Sequence, residues 1–397
     1  MHSFQYYIST EVVFGTDCLE KLPALVKKHG GSRVLIVYGG GSAVRSGLIG
    51  RVEALLTDAG IAFDTLAGVQ PNPRVALARE GVQKAVALGA DLILAVGGGS
   101  VIDTAKAVAH GAANPEIDIW EFWKKRQTVT KTTPVGVVLT IPAAGSEMSD
   151  SAVLTNAGED EKRGLNTDLN RPAFAVMDPS LASTLPKRQV ACGVTDIMMH
   201  TLDRYFNPVT DNAITDALAE ALLRVVVRYG KPVCENPGDL TAMSEIMWCG
   251  SLSHNGLTGL GGNKDFAPHQ LGHALSEKFD VYHGESLSSV WPAWARYVCP
   301  VNPARFAQYA RNVWGVEEPD DVLAAEQGIA ATEGYFRSLG MPVRLSQLSG
   351  VGVQDEAGIE DLALRCSYQK TRTVGTFRTL GYDDMLQIYR AANEKGD

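Results

Sequence analysis

The sequence predicts an α/β domain of the nucleotide-binding, Rossmann-like type with a mostly parallel sheet, followed by an all-α domain. Two observations predict the first domain: apolar runs alternate with helical patterns, and two of these runs end in Gly-Gly-Gly-Ser. The loss of strand patterns near residue 182, after which only helical periodicities continue, predicts the second domain. We therefore expect domains 1–182 and 183–397, packed closely with a cleft between them, because no low-complexity linker separates them.

Continuous apolar runs predict strands of a parallel sheet, because helices cover both faces of such a sheet. These runs are Arg33–Tyr38, Asp91–Val96, Pro134–Ile141 and Phe174–Met177. Apolar residues at helical spacing predict two helices between the strands, at Gly47–Ala59 and Val75–Leu88. The same spacing, often after an Asp, Thr or Pro, predicts the helices of the second domain. These are Thr195–Tyr205, Thr210–Tyr229, Leu240–Ser253, Pro303–Val313, Val322–Leu339 and Asp384–Glu394.

The composition is that of a packed globular protein with an acidic balance. Its 36 basic and 45 acidic residues give a formal net charge of −9, which argues against nucleic-acid binding. No signal peptide and no apolar run of about 18 residues is visible, so we expect no membrane segment. The six cysteines form no Cys-x-x-Cys pair, which favours reduced thiols and a cytoplasmic location. The charged run Glu159–Arg163 is interpreted as a solvated loop.

Two glycine loops, Gly39–Ser42 and Gly97–Ser100, each follow a strand and precede a helix. Glycine lets a ligand approach the backbone, and a helix N-terminus presents free N–H groups to a phosphate. Two such loops on one sheet favour a nucleotide site over tight turns alone, although neither has the Gly-x-Gly-x-x-Gly pattern. Ser100 is expected to cap the second helix. The segment Tyr38–Arg45 has no carboxylate to hold a ribose 2′-hydroxyl, so NADP(H) is favoured over NAD(H).

Histidine and aspartate recur at helical spacing in the predicted second domain. Asp196 and His200 are four residues apart, as are His269 and His273, so each pair shares a helix face. His283 follows the second pair along the chain. Three imidazoles and a carboxylate satisfy Zn²⁺ or Fe²⁺ with one position open for substrate, although core or surface histidines would give the same pattern. The Gly-x-Ser-x-Gly turn of a serine hydrolase is absent from the sequence.

A set of motifs in a fixed order carries a resemblance that covers nearly the whole chain. They are Gly97–Lys106, Thr140–Ser149, Asp178–Pro186, Gly193–His200 and His269–His273 with His283–Gly284. On these motifs the chain resembles the iron-containing (group III, metal-dependent) alcohol dehydrogenases, and among them the butanol-dehydrogenase-like, NADPH-dependent aldehyde reductases. The resemblance implies a dehydroquinate synthase-like architecture and hydride transfer between a nicotinamide and a primary alcohol or aldehyde bound to a divalent metal.

The resemblance also implies the residues of the site. The metal ligands would be Asp196, His200, His269 and His283, and His273 would relay a proton close to nicotinamide and substrate. The cofactor contacts would be Gly39, Gly40, Ser42, Asn72, Gly98, Gly99, Ser100, Asp103, Thr140, Ser149 and Lys162. Two residues near the expected pocket depart from the pattern: Asp203, where the family usually has Glu, and Glu285, where small or other residues are common. The family tends towards homodimers or larger assemblies.

Two alternatives compete with this function. Dehydroquinate synthase-like lyases also combine NAD with a divalent metal, but they need a pocket rich in Lys and Arg. Residues 250–290 contain only Lys264 and Lys278 as basic residues, which disfavours such a lyase. A non-catalytic nucleotide-binding protein is expected to have lost a metal ligand, and none is lost here. Turnover of butanal with NADPH separates this last alternative from a dehydrogenase.

Overall fold

The computed structural model describes residues 2–209 and 211–394 and divides the chain into two compact units. The α/β unit comprises Tyr7–Leu185, and the helical unit comprises Pro186–Asp397 together with Met1–Tyr6. Met1, Thr210 and residues 395–397, which the predicted domains and one predicted helix include, lie outside the described residues.

Strands form the centre of the α/β unit. They are β1 (Glu11–Phe14), β2 (Arg33–Gly39), β3 (Ala62–Val69), β4 (Leu92–Gly97), β5 (Val135–Leu139), β6 (Ser151–Asn156), β7 (Glu161–Asn166) and β8 (Phe174–Met177). Over the described residues, six of them form one parallel sheet in the order β1-β8-β5-β4-β2-β3. The other two, β6 and β7, pair as an antiparallel hairpin. Because β2, β4 and β5 are parallel neighbours, the turns that follow them meet at one edge of the sheet.

The four strands predicted from continuous apolar runs are confirmed. Strands β2, β4, β5 and β8 are buried along most or all of their length, as expected for strands covered on both faces. Strands β1 and β3 have no counterpart among the predicted strands, because they lie at the sheet edges and are largely half-buried or exposed. The interpretation of Glu159–Arg163 as a solvated loop is wrong in part, since β7 begins at Glu161 and Lys162 is buried.

Helices flank the sheet of the α/β unit. They are α1 (Leu22–Lys28), α2 (Ser42–Arg45), α3 (Leu48–Asp58), α4 (Val75–Leu88), α5 (Gly99–Ala113) and α6 (Ile119–Trp123). Helices α3 and α4 confirm the two helices predicted by apolar spacing. The expected cap by Ser100 is wrong: α5 begins at Gly99, so Gly98 occupies the N-cap position and Ser100 lies in the first turn.

The second unit is helical. Its helices are α7 (Lys187–Tyr205), α8 (Ala213–Glu235), α9 (Leu240–His254), α10 (Ala267–Phe279), α11 (His283–Val298), α12 (Pro303–Trp314), α13 (Asp321–Ser338), α14 (Glu356–Cys366) and α15 (Tyr382–Ala392). Six of these overlap the predicted helices, although α7 begins at Lys187 rather than at Thr195. Helix α10 contains His269 and His273, whose four-residue spacing indicated a helix, whereas α11 and α14 have no predicted counterpart. The buried face of α11 includes serine and glutamate side chains, which hide its apolar spacing.

Aromatic packing anchors the end of α7. Phe206 follows this helix directly and stacks on Phe306, with ring centroids 4.2 Å apart. Trp294 of α11 meets Phe206 edge-on at 6.0 Å. All three side chains are buried, so the helix that carries Asp196 and His200 is fixed by the core of its unit.

Two further expectations concern the cysteines and the membrane. All six cysteines are free thiols and four of them are buried. Burial raises the pKa of Cys234 and of Cys249 to about 12, which keeps both thiols protonated and unreactive. Over residues 2–209 and 211–394, no helix has the length and apolar character needed to cross a membrane.

Candidate functional site

Helix α7 presents a row of ionisable side chains on one face. Asp196, His200 and Asp203 are spaced at i, i+4 and i+7, which places them one above another along the helix. All three are buried, with at most 5% of each residue exposed. Helix α7 packs against α8, α9 and α11, so this row faces the interior of the helical unit.

Two other helices bring histidines to this row. His269 lies in the first turn of α10, and His283 is the first residue of α11. Gly284 lets α11 approach α7 closely, because a Cβ at this position would lie 2.5 Å from the backbone oxygen of Cys192. Any side chain at Gly284 would therefore push His283 away from Asp196.

The carboxylate oxygen Oδ1 of Asp196 is the point at which three imidazoles converge. It lies 3.5 Å from Nε2 of His200, 3.6 Å from Nε2 of His269 and 3.7 Å from Nε2 of His283. These separations are too long for hydrogen bonds, and neither Asp196 Oδ1 nor His269 Nε2 has a hydrogen-bond partner among the described residues. They are close to the edge of a ligand tetrahedron, which is about 3.3–3.6 Å for metal–ligand distances of about 2.0–2.2 Å. The cluster therefore fits a divalent cation.

The charges in this cluster also favour a cation. Burial lowers the pKa of the His200 imidazole well below its ordinary value, and His254 and His269 lower it further. Burial acts in the same direction on His269, but the carboxylates of Asp203 and Asp196 outweigh it and raise the pKa of His269 to about 9. The two carboxylates that stabilise the proton on His269 also supply negative charge for a metal ion. Metal binding at His269 would release this proton.

Three side chains outside the predicted ligand and cofactor residues contact the predicted ligands, and one of them, Asp203, was expected near the pocket. Asp203 Oδ2 lies 2.5 Å from His269 Nδ1. The ring of His254 stacks on that of His200 with centroids 3.9 Å apart, and the ring of Phe266 lies 5.3 Å from that of His269. The i+7 spacing from Asp196 was a signal for Asp203. The Gly-rich stretch after His254 was an ambiguous signal for that residue. Phe266 has no signal, because folding brings it in from another segment.

His273 and Glu285 lie beside the cluster. The ring centroid of His273 is 5.3 Å from that of His283 and 6.4 Å from that of His269. The Glu285 carboxylate accepts two hydrogen bonds from the Arg188 guanidinium, at 2.5 and 2.8 Å. The charge of Glu285, a departure from the family pattern, is therefore paired with a cation at the start of α7.

The predicted nucleotide-binding residues lie in the α/β unit, mostly at the carboxyl edge of its sheet. Gly39 ends β2, Gly98 follows β4 and Thr140 follows β5, and these three strands are neighbours. The backbone N–H of Thr140 donates to the carbonyl of Gly97 at 3.1 Å, which joins the turns after β4 and β5. Helix α5 starts at Gly99, so its N-terminal amides lie at this edge.

The first glycine loop, Gly39–Ser42, has free space beside its backbone. A Cβ at Gly40 would meet no atom within 4 Å, and Ser42 is exposed. The Arg45 guanidinium folds back against the backbone of this loop. Further along the chain, Lys162 Nζ donates a hydrogen bond to Asn72 Oδ1 at 2.9 Å, so these two predicted cofactor residues lie together.

Asp103 and Lys106 of helix α5 form hydrogen bonds with the segment that follows β5. Asp103 accepts hydrogen bonds from Ser146 Oγ at 2.7 Å and from the backbone N–H of Val153 at 2.9 Å. Lys106 is buried, and its ammonium lies 2.8 Å from the carbonyl of Ser146 and 3.3 Å from Ser149 Oγ. Burial lowers the pKa of Lys106 to about 8, against the opposing effect of Asp103. Direct contact of Asp103 or Ser149 with a cofactor stays a prediction.

These two units define a class of protein. A parallel sheet with glycine turns at its carboxyl edge is the arrangement of a nucleotide-binding domain. A buried carboxylate surrounded by three imidazole nitrogens is the arrangement of a metal site. Together they are typical of a metal-dependent dehydrogenase that uses a nucleotide cofactor.

Comparison with known proteins gives the family. Residues 9–179 match the family described as iron-containing alcohol dehydrogenase, and residues 190–393 match the C-terminal part of the Fe-containing alcohol dehydrogenase family. The chain belongs to the iron-containing alcohol dehydrogenase family, as the resemblance predicted.

The relatives that match over their full length include a butanol dehydrogenase and an aldehyde reductase. The chain is 39% identical to the NADH-dependent butanol dehydrogenase A of Clostridium acetobutylicum, over 98% of this chain and 99% of the relative. It is 33% identical to the NADPH-dependent aldehyde reductase YqhD of Escherichia coli, over 99% of this chain and 100% of the relative. The solved structure of NADH-dependent butanol dehydrogenase A from Thermotoga maritima matches with a TM-score of 0.94 and 32% identity, over 99% of both chains.

Family membership establishes the general activity. The chain is an oxidoreductase of the alcohol dehydrogenase and aldehyde reductase type, which acts on small molecules with a nicotinamide cofactor and a metal ion. The predicted fold class, a mostly parallel α/β domain followed by a helical domain, is confirmed. The lyase and the non-catalytic alternative are set aside.

Proposed function

We propose that this enzyme interconverts primary alcohols and aldehydes of the butanol and butanal type, with one divalent metal ion and NADP(H). The observation that carries the proposal is the convergence of three Nε2 atoms on Asp196 Oδ1 at 3.5, 3.6 and 3.7 Å. A butanol dehydrogenase and an aldehyde reductase among the relatives support this substrate class. The cytoplasmic location and the homodimeric or larger assembly stay predictions.

Four side chains would hold the metal ion, either Fe²⁺ or Zn²⁺: Asp196, His200, His269 and His283. One carboxylate oxygen and three imidazole nitrogens suit both ions. When bound, the ion acts as a Lewis acid that polarises the aldehyde carbonyl and makes the alcohol hydroxyl more acidic. Asp196 supplies negative charge, and the imidazoles bind in their neutral form, which burial already favours for His200.

The first glycine loop supports NADP(H) as the preferred cofactor. Around its 2′-phosphate the loop would place backbone N–H groups, the Ser42 hydroxyl and the Arg45 guanidinium, and it contains no carboxylate that would repel a phosphate. Gly98, Gly99 and Ser100 at the start of α5 would hold the pyrophosphate. The relatives include both an NADH-dependent and an NADPH-dependent enzyme, so kcat/KM has to be measured with both cofactors.

His273 is the proposed proton-relay residue. Its ring lies beside that of His283, with centroids 5.3 Å apart, on the helix that also carries His269. An imidazole exchanges protons near neutral pH. His273, or a water molecule that it holds, would donate a proton to the substrate oxygen during aldehyde reduction and accept it during alcohol oxidation.

The variant His269→Ala tests this function. Because it removes one of the four proposed ligands, we expect it to lose bound metal and butanal reduction together. Metal analysis of the purified chain and the rate of NADPH oxidation with butanal measure the two effects. The matched control is His2→Ala, which removes an imidazole that is more than half exposed and should change neither quantity. Full turnover by metal-free His269→Ala would contradict the ligand assignment.

A further inference from the structure

Asp203 is a buried carboxylate to which neither the family resemblance nor the proposed chemistry gives a role. None of its surface is exposed, and its Oδ2 lies 2.5 Å from His269 Nδ1. Within residues 2–209 and 211–394, its other oxygen, Oδ1, is buried without a hydrogen-bond partner. An ionised carboxylate in such a place is strongly destabilising unless an opposite charge compensates it. Its position therefore needs an explanation beyond packing.

The contact with Asp203 determines which nitrogen of His269 carries a proton. An ionised carboxylate only accepts hydrogen bonds, so the Nδ1 that faces Asp203 has to donate. The lone pair of the neutral ring is then on Nε2. That atom is also the one that lies 3.6 Å from Asp196 Oδ1, inside the predicted ligand cluster.

The backbone holds Asp203 in place from two sides. Asp203 lies one turn beyond His200 on α7, so it is as rigid as the helix that carries two predicted ligands. Its carbonyl accepts a hydrogen bond from the backbone N–H of Asp265 at 2.8 Å. Asp265 in turn accepts from the N–H of Ala267, the first residue of α10, at 2.9 Å. The start of α10 is therefore linked through Asp265 to the backbone of Asp203.

We infer that Asp203 is a positioning residue for the metal, which fixes the tautomer and the orientation of His269 so that Nε2 faces the cation. This inference rests on the metal site proposed above. A carboxylate behind a ligating imidazole makes that imidazole a stronger donor and adds negative charge to the site. Asp203 would thus raise metal affinity without touching the metal, the substrate or the cofactor.

Asp203→Asn removes the charge and keeps the shape of the side chain. We expect Co²⁺ to bind about 10-fold to 100-fold more weakly to the metal-free variant than to the metal-free wild type, and to be lost faster to EDTA. The visible absorption of bound Co²⁺, which reports its coordination geometry, should also change. Asp203→Glu restores a carboxylate and should recover most of the affinity.

A control separates positioning from a general effect of altering a buried aspartate. Asp178 is 4% exposed in the α/β unit, and its oxygens accept from the backbone N–H groups of Asp17 and Ser180, both at 2.9 Å. Asp178→Asn should leave the Co²⁺ affinity and spectrum as in the wild type. Circular dichroism and the melting temperature of each metal-free variant check that it is folded.

The outcomes distinguish this inference from the proposed function. Wild-type Co²⁺ affinity and spectrum in folded Asp203→Asn would overturn the role of Asp203, even if His269→Ala loses its metal. An equal loss of affinity in Asp178→Asn, or no recovery in Asp203→Glu, would likewise overturn it. Retention of metal by His269→Ala would instead overturn the metal site itself.

Discussion

At the scale of single residues, Gly40 offers the most direct control over cofactor choice. It has no left-handed backbone requirement, and a Cβ there would meet no atom within 4 Å, so a side chain fits. We predict that Gly40→Asp lowers the NADPH/NADH ratio of kcat/KM by about tenfold to a hundredfold. The new carboxylate would repel a 2′-phosphate and accept a hydrogen bond from a 2′-hydroxyl, and charge-assisted hydrogen bonds contribute roughly 1.5–3 kcal/mol.

Steady-state kinetics with both cofactors measure this ratio. Gly334→Asp is the matched control, because Gly334 lies in α13 of the helical unit and its Cβ position is equally open. The control should keep the wild-type ratio. An unchanged ratio in folded, metal-loaded Gly40→Asp would show that the 2′-phosphate binds elsewhere.

His110 makes the α/β unit sensitive to acid. Its Nε2 lies 2.7 Å from Asn170 Oδ1, and the Asn170 amide group donates to the carbonyls of Asp150 and Leu165, so the ring is a neutral donor at Nε2. Burial lowers the pKa of His110 from 6.5 to about 4. In the unfolded chain His110 is therefore protonated below about pH 6.5, whereas in the folded chain it is protonated only below about pH 4.

Stability should consequently fall as the pH drops through this window. We predict that His110 accounts for a loss of about 3 kcal/mol in the free energy of unfolding between pH 7 and pH 4. His110→Gln removes the titration, so its unfolding curve should depend less on pH than that of the wild type. Urea unfolding at a series of pH values measures the difference, and parallel pH curves for the two proteins would contradict the prediction.

At residue scale the ligand set was only partly predictable. Asp196 and His200 follow from i, i+4 spacing on a helix, but the same spacing pairs His269 with His273. Only the family resemblance selected His283, whose Nε2 lies 3.7 Å from Asp196 Oδ1. Spacing cannot make that choice, because it depends on how two different helices pack.

At the scale of elements, the close approach of α11 to α7 is the feature that completes the cluster. A Cβ at Gly284 would lie 2.5 Å from the oxygen and 2.7 Å from the Cα of Cys192, and these backbone atoms cannot move aside cheaply. We predict that Gly284→Ala lowers the free energy of unfolding by about 1–3 kcal/mol and reduces bound metal, since His283 begins α11.

Metal analysis and thermal unfolding test this prediction against Gly334→Ala. Gly334 is exposed within α13 and has no neighbour within 4 Å of its Cβ position. Alanine there should raise stability by about 0.5–1 kcal/mol and leave the metal content unchanged. Wild-type metal content and stability in Gly284→Ala would show that the approach of the two helices does not limit the site.

The elements around the metal cluster differ in how far the sequence predicts them. Strands β2 and β4 and helix α4 follow from apolar spacing, because burial demands that pattern. The His269–His273 spacing indicates α10, but α11 buries serine and glutamate at positions where the spacing rule expects apolar residues. These buried polar residues hide the apolar pattern that would have revealed α11.

At the scale of the whole molecule, the two units carry different parts of the machinery. The predicted cofactor residues lie within Tyr7–Leu185, and the predicted metal ligands lie within Pro186–Asp397. Each unit has its own buried core and hydrogen bonds. Removing the metal should therefore abolish turnover while the α/β unit still binds NADPH.

Reconstitution of the metal-free enzyme tests the central claim most directly. The chain is stripped with a chelator and titrated with Fe²⁺ under anaerobic conditions or with Zn²⁺, and butanal-dependent NADPH oxidation is followed at each step. We predict no turnover without metal, an increase in proportion to added metal, and saturation at one ion per chain, with NADPH binding present throughout. Full turnover by the metal-free enzyme would contradict the account.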